Sequence, residues 1–228
     1  MRRKHQLALR SIRRLAWVAI TVWVCALPAN AFVGMLVSSD MGITGTGNWI
    51  ENGPTSIEWE VTQNADQSWH YRYLFTHPIG ETSHFILETS VEFTASDIFN
   101  ASGDFQSYEV GWQAVRSGNP NMPEDLFGIR FEDTWELATT IEFDSHRAPV
   151  WGDFYAKNGK AGGFGRNTAW NAGFSAGDFD PLDAPQDGSL LGHLLRPDTS
   201  VNVVPEPATL LLLGGGLAGA AITRRRRR

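Results

Sequence analysis

The chain has 228 residues, enough for one large domain or two small ones. Its formal net charge is −6, yet eleven of its nineteen lysines and arginines lie in the first 31 residues and the last five. The body between residues 32 and 223 keeps eight basic residues against all 25 acids. A net charge of −17 there excludes nucleic-acid binding and disfavours anionic lipid headgroups.

Residues 1–31 read as a secretory signal peptide. Arg2, Arg3, Lys4, Arg10, Arg13 and Arg14 precede an apolar run at 15–27, then Pro28 and the small-x-small triplet Ala29-Asn30-Ala31. The run is shorter than the roughly 20 residues of a helical membrane span. Cleavage after Ala31 is expected, and general secretion machinery is the expected partner, because Arg13-Arg14 lacks the flanking residues of a twin-arginine signal. Cys25 is the single cysteine and leaves with this segment. The mature chain therefore has no disulfide and must fold on core burial.

From residue 32 to about residue 200 helical periodicity is nearly absent, and strand signals alternate with turn residues. Ile57, Trp59 and Val61 alternate with Glu58, Glu60 and Thr62. Trp69, Tyr71, Tyr73 and Phe75 form an aromatic face against His70, Arg72, Leu74 and Thr76. Further strands are expected at 84–93, 127–132, 139–143 and 150–156, with one helical turn at 94–99 capped by Thr94 or Ser96. The last core segment is expected at 190–195. Turn residues at 52–54, 64–66, 117–120 and 158–159 separate these runs. The pattern predicts an all-β fold, a single antiparallel β-sandwich or jelly-roll-like domain over 32–200.

Few residues of this body suggest chemistry. Glu58 with Glu60, and Glu88 with Glu92, share strand faces as a glycosidase pair would, but no recognised hydrolase motif surrounds them. His70, His77 and His84 recur every seven residues. Seven is an odd step along a strand, so these three are expected as surface or turn histidines rather than metal ligands. Trp151, Tyr155, Trp170 and Phe174 are candidates for stacking on sugar rings, with core packing the competing expectation. Asp178, Asp180 and Asp183 alternate in a glycine-rich stretch and could supply oxygen ligands to calcium, with solvated acidic turn residues the competing expectation; no other cofactor is expected. No catalytic residue is expected.

Residues 201–228 carry the strongest pattern. Pro205, Glu206 and Pro207 follow Val204 and lead into fifteen uncharged residues at 208–222. Thr223 and then Arg224, Arg225, Arg226, Arg227 and Arg228 close the chain. The prolines hold Glu206 in extended backbone. The apolar run can enter a membrane as a helix while the arginines stop it on the cytoplasmic side. Four glycines and its shortness suit a temporary anchor rather than a permanent span.

Pro-Glu-Pro, an apolar helix and an arginine cluster, in this order at this end, resemble the PEP-CTERM sorting signal of Gram-negative bacteria. The resemblance implies handling by a membrane-embedded exosortase similar to a cysteine transpeptidase, in species that make extracellular polysaccharide. It implies export across the inner membrane, transient anchoring there, and a final place at the cell surface or outside. The expectation is a non-enzymatic surface or matrix protein associated with polysaccharide. The alternatives are a carbohydrate- or calcium-binding adhesion module and a secreted glycan hydrolase.

Overall fold

The structure, a computed structural model, describes residues 31–116, 118–134, 136–159, 165–174 and 192–197. Outside them lie the signal segment with Ala29, the candidate calcium ligands Asp178, Asp180 and Asp183, and the tail with Pro205, Glu206, Pro207 and its arginines. Nearly all regular structure is antiparallel strand. One sheet has the order β1 (Ala31–Val37), β3 (Ser56–Gln63), β4 (Trp69–Thr76), β9 (Ala138–Ser145), β6 (Phe99–Gly103). A second has the order β2 (Ile43–Thr46), β12 (Thr168–Asn171), β11 (Phe154–Asn158), β5 (Thr82–Glu88), β8 (Leu126–Glu132), β7 (Ser107–Gln113). β10 (Pro149–Gly152) and β13 (Leu194–Pro197) form a separate pair.

The alternation in the sequence decides which face is buried. Ile57, Trp59 and Val61 of β3, and Tyr71, Tyr73 and Phe75 of β4, point into the core, while Glu58 and Glu60 face water. Register locks these rows together: Trp59 lies opposite Tyr73, and Tyr73 opposite Ile141. Gly34 of β1 is required beside Trp59, whose indole occupies the space a Cβ would fill.

The two large sheets pack face to face through aromatic rings. Phe75 meets Phe85 at 5.8 Å and Phe154 at 5.9 Å, Tyr73 meets Phe85 at 6.5 Å, and Phe143 meets Phe131 at 6.1 Å. Moving down the first sheet from Phe75 to the row of Tyr71 and Phe143 thus crosses β11, β5 and β8 in turn. The strands of the two sheets cross rather than run alongside each other. β10 and β13 close the side under β1 and β3. There Trp151 stands edge-on to Trp59 at 6.3 Å, the Tyr73 hydroxyl donates to Leu195 O at 2.8 Å, and the Tyr71 hydroxyl donates to Arg147 O at 2.7 Å.

Two expected strands differ in extent. The run at 150–156 is two strands of different sheets, because the chain turns at Gly152 and Asp153. The run at 84–93 ends at Glu88 and gives way to a turn closed by Phe93 N to Ser90 O. The helical turn is a 3-10 turn at Ala95–Asp97, with Thr94 N donating to Asp97 Oδ2 at 2.8 Å. The final core segment is β13, whose Leu194 and Leu195 are buried.

Candidate functional site

The densest polar cluster among the described residues lies under the sheets, where β13 meets β5, β11 and β12. Arg196, fully buried, places Nε 3.2 Å from Glu88 Oε2. The same Glu88 oxygen accepts a hydrogen bond from Asp153 N at 3.0 Å. Asp153 Oδ1 faces His193 Nδ1 at 3.0 Å and accepts from Asn171 Nδ2 at 2.6 Å, and Asn171 Oδ1 accepts from Phe154 N at 2.8 Å. Glycine makes the room: a Cβ at Gly152 would strike Arg196 and Glu88, and one at Gly173 would strike the His193 ring. Every member of this set is buried, so the polar groups serve each other and hold the last described strand to the body. None of Asp153, Asn171, His193 and Arg196 was a candidate from sequence. The available signal was an arginine and a histidine inside the leucine-rich run at 190–196.

The three histidines occupy three unrelated settings. His70 is part-exposed on the outer face of β4, with Nδ1 2.8 Å from Asp144 Oδ1. Burial opposes ionisation of Asp144, but hydrogen bonds from Asn100, His70 and Asn64 outweigh it and hold the carboxyl below its ordinary range. His77 lies in the connection between β4 and β5 and His84 within β5, and neither is a surface residue: both are buried. His77 stacks on Trp49 at 4.2 Å, donates from Nδ1 to Ile79 O at 3.1 Å, and has Nε2 2.8 Å from the Thr82 hydroxyl. Burial pushes its pKa down to about 4. His84 lies on the other face of β5, with Nδ1 3.3 Å from Arg130 Nη2. Burial first, then the charges of Arg130 and Lys157, push it to about 3.

Of the paired glutamates, Glu58 and Glu60 share a strand face as expected, whereas Glu88 and Glu92 separate. Glu58 and Glu60 stand exposed on the outer face of β3, while Glu88 is in the buried cluster and Glu92 is exposed beyond the strand. Of the four aromatic candidates for sugar stacking, Tyr155 and Phe174 are buried, whereas Trp151 and Trp170 are half-buried against the core clusters. Tyr155 and Phe174 pack beside Trp170, the Tyr155 hydroxyl donates to Pro120 O at 2.7 Å, and Trp151 packs on the main core. Among the described residues no group of three or more histidines, cysteines, aspartates or glutamates could hold a metal ion. A cleft of about 340 Å³ opens beside the β1 end at Val37, lined chiefly by Met35, Leu36, Val37, Met41 and Ala172, with Asp40 as its charge.

The body thus shows a tightly interlocked fold whose last described strand, β13, ends at Pro197, eight positions before Pro205. The segment beyond that strand decides how the chain is handled. Residues 203–228 match the family model of the PEP-CTERM protein-sorting motif. The chain carries a PEP-CTERM sorting signal. No curated protein and no solved structure matches the chain. The PEP-CTERM match marks an exported protein that is sorted by an exosortase and held for a time in the membrane by its C-terminus. No helix among the described residues is long and apolar enough to cross a membrane; the uncharged run at 208–222 lies outside them.

Proposed function

We propose that the protein is a non-enzymatic surface or matrix component associated with extracellular polysaccharide. An exosortase acts at Pro205, Glu206 and Pro207 and releases it or passes it to a new anchor. The PEP-CTERM match at the end of a β-domain carries this reading. The setting of the ionisable groups supports it: the Asp153–His193 and Glu88–Arg196 pairs are inside the fold, and the exposed Glu58 and Glu60 share an outer strand face. Released protein should co-sediment with the producing cell's polysaccharide and be freed when that polysaccharide is digested. Shortening of the polysaccharide by the purified protein, or no co-sedimentation, would overturn the proposal.

The tail gives its own prediction. Glu206→Ala removes the carboxylate between the two prolines, so the unprocessed form should accumulate in the membrane fraction. Blotting of membrane and medium measures this, and release of Glu206→Ala at the wild-type level would count against recognition at that residue.

A further inference from the structure

The first described strand begins, and the last described strand ends, at one pole of the domain. Phe32, the first residue after the expected cleavage site, pairs with Val61, and Val61 pairs with Tyr71. The Tyr71 hydroxyl donates to Arg147 O at 2.7 Å, and Pro149, two residues on, pairs with Pro197. The turn at 64–68 between β3 and β4 and the loop at 146–148 between β9 and β10 lie at this same end. From Pro197 the chain reaches Pro205 in eight steps, so the tether is at most about 29 Å long.

This pole also exposes apolar side chains. Phe32 is 43% exposed and its ring lies 6.1 Å from Trp69. The segment after β5 is tied here by Arg147 Nε to Asp97 Oδ1 at 2.9 Å and carries Val91, 59% exposed. Thr89 N donates to Phe127 O at 2.9 Å, and Phe127 stands edge-on at 5.6 Å to Trp112, 63% exposed. Aromatic rings with one wet side suit the lipid–water boundary.

We propose that this pole, with Phe32, Trp69, Val91 and Trp112, rests on the membrane surface while the sorting tail is anchored. The occupant is a zwitterionic lipid headgroup layer, since a body of net charge −17 is repelled by anionic lipid. The far pole, where β4 ends at Thr76 beside Leu137, then points outward. The inference rests on the PEP-CTERM anchor and stands whether or not the protein associates with polysaccharide.

With Cys25→Ser, a single introduced cysteine is the only thiol in the full chain. Nitroxide labels at Ala65→Cys in the near turn and Leu137→Cys at the far pole, both exposed sites, are compared in phosphatidylcholine vesicles carrying a nickel-chelating headgroup lipid. The poles are separated by the length of β4, about 25 Å. The label at 65 should be relaxed several-fold more strongly than that at 137. Replacing a third of the lipid by phosphatidylglycerol should narrow the difference. Equal relaxation at both sites, or stronger relaxation at 137, would overturn the proposal.

Discussion

Arg196→Met should cost the domain roughly 3–5 kcal/mol, the loss expected when one partner of a buried ion pair is removed. Arg196 is fully buried against Glu88, and its removal leaves that carboxylate under the sheets with the Asp153 amide as a remaining donor. A domain of this size is stable by about 5–15 kcal/mol, so the loss consumes a large share and lowers Tm by about 10 °C. Glu88→Gln should destabilise by a similar mechanism. The double variant should be more stable than the sum of the single losses predicts, because neither charge is then stranded. Urea unfolding of the four proteins measures this. Strictly additive losses, or a single-variant loss below about 1 kcal/mol, would show that the two side chains do not depend on each other.

Acid should weaken the fold well above the pH at which carboxylates titrate. A histidine in the unfolded chain has a pKa near 6.5, whereas burial holds His77 at about 4 and His84 at about 3. Both groups have depressed folded pKa values, so their contribution is complete above about pH 6.5. As pH falls below that, the unfolded chain takes up protons that the folded chain refuses, and stability drops by up to about 1.4 kcal/mol per pH unit for each histidine. Over the interval down to pH 4 the loss reaches roughly 3 kcal/mol for each as an upper bound. Asp97 and Asp144 have carboxyls held below their ordinary range, so their stabilisation fades only at lower pH. Unfolding free energies at pH 7, 5.5 and 4 should therefore fall steadily, and His84→Gln should flatten that slope whatever it does to the value at pH 7. A flat profile down to pH 4 would contradict the buried, neutral assignment.

The strands legible in the sequence are those with strict alternation. β4 matches its expected span of 69–76, and β3, β8 and β9 differ from theirs by no more than two residues at either end. β1, β2, β6 and β12 escape a sequence reading because Phe32, Val33, Met35 and Leu36 do not alternate, and the others are four or five residues long and rich in Gly, Asn, Thr and Ser. β7 does alternate, with Tyr108, Val110 and Trp112 on one side, so its signal was available. The surface expectation for His77 and His84 fails because odd spacing says nothing about burial: one packs between β4 and α1 (Asn48–Glu51), the other beside Tyr155 of β11 and Arg130 of β8. The Arg196 cluster was out of reach because Glu88 of β5, Asp153 of the turn after β10, Asn171 of β12 and His193 before β13 are brought together only by the tertiary fold. The sorting tail was fully legible, since its signal is a linear order of residue types that needs no fold.

The protein is expected to be trimmed at both ends around its β-domain. Intact mass with mapped terminal peptides, on protein recovered from cells and from medium, tests this directly. The released form should begin at Phe32 and end near Pro205. A chain found only in membranes and intact through Arg228 would contradict it.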